Sequence, residues 1–333
     1  MFNLSSASLP LVYLFGAWAV NYLFGFMSFE YPRQSGLARD AGTAAVLPVI
    51  TALLWWGRTV CTSSGIKALS YVASHRRSRN TNKLAATFEY IIYINVKKFR
   101  PIIFIFASLI AFNYLYWEGL FSTLENEVQQ NTYRYILLLQ AFPFWFCVIN
   151  FIVSLIVIFQ LSKIYITKYL RIRLFEIEEL SPLCNVVIVN FLMCFVAVSS
   201  YTINGLFFDL PVVDKYLIFI SCLILAFFLL FPIFLVRKVV KKRKEISLER
   251  INQALNDQIL ANTEENQRRR LVDDETRLQF ISDLLIVRKE VNQAPLWPMT
   301  VPFAAKMMFI LTMPILSWMG AGLVSQLIKA WQI

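Results

Sequence analysis

The chain has 333 residues, of which 58% are apolar and only 16% charged, with a formal net charge of +11. A soluble domain of this length would hold more charge, so the apolar excess excludes an ordinary globular protein in water and calls for lipid. The 29 Phe, 14 Tyr and 8 Trp suit lipid-facing surfaces and interfacial belts. The basic balance reads first as topogenic charge rather than as a nucleic-acid surface.

Apolar runs of about 20 residues can cross a bilayer core, and six precede residue 240: 9–27, 44–60, 101–120, 136–162, 186–206 and 216–236. Met1 to Pro10 lack the basic stretch and small-residue cleavage site of a secretory signal, so the first run is expected to be a retained span. The second is short, with Pro48 near its start and the aromatic anchor Trp55-Trp56 near its end. Arg58, Lys67, Arg76, Arg77, Arg79, Lys83, Lys97, Lys98 and Arg100 follow against the single acid Glu89, which predicts a basic cytoplasmic loop over 61–100. Within it, 84–100 reads as a juxtamembrane helix, with Leu84, Phe88, Ile91 and Ile92 on one face, before Pro101 opens the third span.

Glu118, Glu125 and Glu127 place the next connection outside, and Lys163, Lys168, Arg171 and Arg173 bring the chain back inside. The fourth span is expected to continue as a helix to about Leu180, where Ser181-Pro182 ends it. Asp209, Asp214 and Lys215 mark an outer connection, and Arg237, Lys238, Lys241, Lys242, Arg243 and Lys244 an inner one. This alternation puts the N-terminus in the cytoplasm.

Residues 240–292 change character, with charges of both signs and no Gly. Leu248, Ile251, Leu255 and Ile259 fall at i, i+3, i+7 and i+11, and Leu271, Leu278, Ile281 and Leu285 at i, i+7, i+10 and i+14. The pattern fits a helical hairpin, or one long coiled-coil helix with a polar waist at 262–270. Pro295-Leu296-Trp297-Pro298 breaks it, and Val301 to Ile328 reads as a seventh span with a kink at Pro314 and a small-residue face at Gly320-Ala321-Gly322. A re-entrant or surface-lying helix is the alternative for that run. The expected fold is therefore all-α, a polytopic transmembrane bundle of about seven spans with a cytoplasmic helical or coiled-coil segment. It divides into a six-span part (1–239, with the basic loop 61–100), a cytoplasmic part (240–294) and a C-terminal transmembrane helix (295–333).

Catalytic signatures are absent: no GxSxG, P-loop, HExxH or dinucleotide fingerprint. Cys61, Cys147, Cys184, Cys194 and Cys222 show no CxxC spacing, and with the single His75 they assemble no zinc site. No enzyme, metal or cofactor is expected. The centres of the spans hold no Asp or Glu, which argues against a proton pump. They hold neutral polar groups instead. Gln140, Cys147, Asn150 and Ser154 form a stripe at i, i+7, i+10 and i+14, with Gln160 near the inner end of the same helix. Asn190, Cys194 and Tyr201 form a second stripe. Such stripes line a water-filled path or bond neighbouring helices. The clusters Arg76, Arg77, Arg79 and Arg268, Arg269, Arg270 are candidate contacts for an anionic ligand or lipid. Topogenic charge for the first, and pairing with Asp273, Asp274 and Glu275 for the second, are the plainer readings.

Ala294-Pro295-Leu296-Trp297-Pro298 followed by a Pro-kinked apolar helix resembles the endings of bacterial inner-membrane proteins. Several spans, a charged helical segment and one terminal span together resemble the layout of membrane effectors of phage-defence systems. That resemblance implies an oligomeric pore that depolarises the cell on a cytoplasmic signal. The expected function is a homo-oligomeric channel subunit in the inner membrane, gated through 240–292. Its expected partners are the lipid bilayer, copies of itself, and a cytoplasmic protein or nucleotide or oligonucleotide regulator. A non-conducting scaffold and a secondary transporter are the alternatives, the latter disfavoured by an odd span count and the lack of internal repeats.

Overall fold

The computed structural model describes residues 7–27, 36–77, 81–117, 134–164, 181–203, 212–265 and 275–295, with Ala305, Met308, Phe309 and Thr312 as isolated positions. Among the described residues the chain is helical, with no strand. The helices are α1 (Ser8–Leu23), α2 (Gly36–Arg77), α3 (Thr81–Trp117), α4 (Arg134–Leu139), α5 (Ala141–Ile164), α6 (Ser181–Thr202), α7 (Val212–Glu265) and α8 (Glu275–Gln293). Four stretches are long and apolar enough to cross a membrane: Leu37–Tyr71, Ala86–Tyr116, Tyr135–Ile164 and Pro182–Tyr201. They make this a membrane-embedded protein. The shorter α1 is also apolar. Most side chains of the sixth expected span, in the first part of α7, lie outside the described residues, and so does nearly all of the seventh.

The basic stretch 61–100 holds more helix than the one expected over 84–100: α2 runs to Arg77 and α3 starts at Thr81. The apolar and small positions of α2 continue past residue 60 and are buried there (Cys61, Gly65, Ala68, Leu69), so packing carries the helix through its charges. Pro101 opens no helix; it sits inside α3. The expected juxtamembrane helix and third span are thus one 37-residue helix. Ser181-Pro182, expected to end a helix, begins α6, where a proline suits the first turn because its missing N–H has no intrahelical partner there. The boundary drawn at 239/240 falls inside α7, a single 54-residue helix.

α2 is the axis of the bundle, packing against α1, α3, α5 and α6. Small side chains make that possible, since backbones approach closely only where little projects between them. Ala41, Ala44, Cys61 and Ala68 are buried. A Cβ on Gly57 would meet Phe151 at 3.4 Å and Met193 at 3.5 Å, and one on Gly65 would meet Ile158 at 3.0 Å. Numbering rises together along α2 and α5, where Gly57 faces Phe151 and Gly65 faces Ile158, so these helices run parallel. Residue numbers run oppositely along α2 and α6, where Gly57 faces Met193 and Ala68 and Leu69 cluster with Leu183 and Val186. α3 opposes α5, with Leu115 against Leu138 and Ala141 at one end and Phe104 on Phe146 further along. The far side of α3, from Ile102 through Phe106 to Phe112 and Tyr116, is exposed and apolar, as a lipid-facing surface requires.

One end of α2 is tied by a polar clamp. Pro48 has no N–H to give the carbonyl of Ala44, one turn earlier, and in an apolar medium that oxygen needs another donor. Asn21 of α1, fully buried, supplies it: Nδ2 donates to Ala44 O at 2.8 Å. Trp18 Nε1 donates to the adjacent Ala45 O at 2.9 Å. Asn21 also exchanges hydrogen bonds with the Gln140 amide, donating to Oε1 at 3.3 Å and accepting from Nε2 at 2.5 Å. α1, α2 and the turn at Gln140 thus meet through the Asn21 side chain.

At the other end α7 packs on α6 and α5, with Val236 and Val240 in one apolar cluster with Leu183, Val186, Ala68 and Leu69. α8 folds back along α7, which makes this segment a hairpin among the two arrangements expected. Leu255 and Val291 are buried, and Lys244 Nζ donates to the carbonyls of Asn292 (2.7 Å) and Ala294 (3.1 Å). A cation on the last carbonyls of α8 suits the negative end of that helix.

Two outcomes test this packing. Gly65→Leu lowers the apparent unfolding midpoint in detergent, by about 1–3 kcal/mol of overpacking. Gly16→Ala, whose Cβ would meet nothing within 4 Å, leaves the midpoint unchanged or raises it. For the clamp, Asn21→Ala and Gln140→Ala each destabilise, and their double-mutant cycle gives a coupling of about 0.5–2 kcal/mol. Strictly additive effects would mean that the two amides do not interact.

Candidate functional site

α2, α3 and α5 enclose a cavity of about 440 Å³ at the end of the bundle nearer the α7–α8 hairpin, lined in part by Arg58, Thr62, Glu89, Tyr93, Arg100 and Ser154. Its position follows from the helix directions: Arg58 lies between the Gly57 and Gly65 contacts on α2, and Ser154 between Phe151 and Ile158 on α5. α3 reaches the same level with the turns from Glu89 to Arg100.

Arg58 is half-buried and donates from Nε to Ser154 Oγ at 3.1 Å. Ser154, 1% exposed, uses its own proton on Asn150 O at 2.7 Å, so its oxygen is left to accept. Thr62 likewise donates to Arg58 O at 2.7 Å. Hydroxyls bonded back to a carbonyl one turn earlier are satisfied without water. The Arg58 guanidinium offers five N–H donors, and among the described residues no carboxylate lies within ion-pair distance of it or of Arg100. Arg100 lines the same cavity and adds a second positive charge to its walls. On the α3 wall, Lys97 Nζ stands 5.7 Å from the Tyr93 ring centroid.

Of the candidate pore residues, only Ser154 lines this cavity. Gln140 sits in the turn between α4 and α5 with its amide held by Asn21. Asn150 and Asn190 are buried, each with an Oδ1 that has no hydrogen-bond partner among the described residues. Gln160 is exposed near the end of α5, and Tyr201 is half-buried near the end of α6. The two stripes lie on helices that each pack against α2: Phe151 and Met193 meet Gly57 together. Arg76 and Arg77 end α2 with side chains outside the described residues, and Arg79, Arg268, Arg269 and Arg270 lie outside them altogether.

Sequence pattern alone does not single out Arg58, Arg100 or Asn21, since both arginines stand among basic residues that read as cytoplasmic loop charge. The signal that places Arg58 inside a helix is the run Gly57, Cys61, Gly65, small residues at i, i+4 and i+8, which demands a close partner on both sides of it. For Asn21 the signal is Pro48, which requires a donor for a carbonyl from some other helix. Among the described residues no group of three or more His, Cys, Asp or Glu comes together. Compared with known proteins, the chain matches no family model, no curated protein and no solved structure.

Proposed function

We propose that the protein is a subunit of a homo-oligomeric membrane channel, gated through the charged hairpin, which faces the cytoplasm. The observation that supports this most directly is the continuity of α7: one helix carries Val236 and Val240, buried in the bundle, and Leu255, buried in the hairpin. A helix is stiff over this distance, so a force on the hairpin reaches the bundle without a joint to absorb it. The conducting route follows the α5 stripe, where the unpartnered Oδ1 of Asn150 offers a site for water or a partly dehydrated ion. Opening such a route in an energised membrane depolarises the cell, the outcome that the phage-defence layout implies.

A second reading has its own observation. Leu278, Phe280, Leu285 and Ile286 of α8 are exposed, an apolar surface on an otherwise charged hairpin. This favours a scaffold that docks a soluble partner through α8, with the membrane helices as anchor.

Planar-bilayer recording of the purified full chain separates the two. A channel gives discrete conductance that Asn150→Leu alters. Lys244→Ala, which removes both bonds at the end of α8, changes its open-to-closed ratio about fivefold or more, a coupling of ~1 kcal/mol. Bilayers that stay silent with folded protein, together with a stoichiometric soluble partner lost on Leu285→Glu, would support the scaffold instead.

A further inference from the structure

We infer that the cavity between Arg58 and Arg100 is a binding site for a phosphate-class anion, presented either by a phospholipid headgroup or as a free ion. The inference is independent of the channel reading, because it rests on the chemistry of the cavity walls alone.

Two guanidinium groups face one space, one from α2 and one from α3. Among the described residues neither has a carboxylate at ion-pair distance. A cation held among membrane helices is costly unless something of opposite charge is near, and such residues mark binding sites more often than structural ones. Glu89 lines the same cavity but is exposed and lies beyond ion-pair distance of both arginines, so the walls carry a net positive charge. Ser154 engages the Arg58 guanidinium through Nε alone, which leaves the terminal nitrogens for another partner. Those terminal nitrogens form the planar fork that pairs with two oxygens of one phosphate.

The size and the rim match the same ligand. A cavity of about 440 Å³ exceeds the volume of one phosphate group and leaves room for part of what it is attached to. Tyr90 and Tyr93 are exposed at its α3 wall, and the apolar face of α3 continues from there along Ile102, Ile105 and Leu109. A phospholipid would thus lay its acyl chains on exposed apolar helix surface while its headgroup enters between the arginines. Basic pockets between membrane helices recognise headgroups by this arrangement. A free phosphate would use the arginines and none of the apolar face.

The test uses the full-length protein in a non-ionic detergent and follows its unfolding midpoint. One titration adds inorganic phosphate against chloride at equal ionic strength; another adds phosphatidylglycerol against phosphatidylcholine. The wild type is stabilised by at least one of the two phosphate probes over its control. Protection by phosphatidylglycerol alone identifies a lipid as the source, and protection by inorganic phosphate identifies a free anion. Arg58→Lys, which keeps the charge and loses the fork, and Arg100→Gln, at an exposed position, each raise the apparent Kd about tenfold or more. Lys67→Gln, an exposed charge on α2 that does not line the cavity, leaves it unchanged. The inference is overturned if neither probe stabilises the wild type, or if Lys67→Gln weakens binding as much as Arg100→Gln. It is overturned equally if both arginine variants fold normally and bind as the wild type does.

Discussion

The carbonyl oxygen of Ala44 sets the arrangement of the bundle. In water, the bond that Pro48 withholds would be replaced by solvent; among apolar helices it has to come from another part of the chain. Asn21 provides it, and because an amide has a second face, Asn21 also takes hold of Gln140. One missing N–H in α2 therefore fixes the position of α1 and the level at which α5 begins. That registration decides which residues meet further along. With Gln140 beside Ala44 and the two helices parallel, Phe151 falls on Gly57, Ser154 on Arg58 and Ile158 on Gly65.

Close packing on α2 then creates the conditions for its charge. Gly57, Cys61 and Gly65 bring α5 and α6 against the helix with no side chain between, and Arg58 projects from the same stretch toward α3 and α5. A residue with a long side chain beside such small ones cannot fold back along its own helix surface, since α5 and α6 occupy it. It extends into the gap that α3 leaves, where Thr62 and Ser154 bring hydroxyl groups to the lining beside the tyrosines. The cavity is thus a consequence of packing a wide residue among narrow ones, and its positive character a consequence of which residue that is.

What the sequence showed and what it hid divide along the range of the interactions involved. Hydrophobic runs and their charged flanks are local, so the spans at 136–162 and 186–206 lie close to the helices Tyr135–Ile164 and Pro182–Tyr201. The hairpin alternative for 240–292 was also visible, because Leu248, Ile251 and Leu255 carry a helical period that ends in a polar stretch. Before residue 84 the basic stretch departs from the expected loop for a physical reason: charge alone does not end a helix whose other face is buried. α2 and α3 bury one face through that stretch, with Leu69, Ile92 and Val96 inside, and let the charges project from the other. Asn21 was invisible for a different reason. A single Asn in an apolar run has no periodicity, and its importance depends on a proline 27 residues away on another helix. The polar stripe on α5 was legible as a stripe, but the sequence did not contain the fact that α2 packs against that helix.

The two ends of α2 are held in opposite ways, and this bears on which of them can move. At the Ala44 end the contacts are directional: a buried amide, a released carbonyl and a second amide, each satisfied only in one geometry. Toward the other end the contacts are mostly van der Waals surfaces, with the Arg58–Ser154 hydrogen bond beside the cavity and Val236 and Val240 of α7 in one apolar cluster with Ala68 and Leu69. Apolar surfaces slide at low cost as long as area stays buried, whereas a hydrogen-bonded amide in lipid must break before it shifts. Motion transmitted along α7 would therefore be taken up at the end with the cavity and stopped at the clamp. An anion between Arg58 and Arg100 would join α2 to α3 at the level where Arg58 already holds α5 through Ser154, and so would stiffen the part of the bundle that the hairpin can reach.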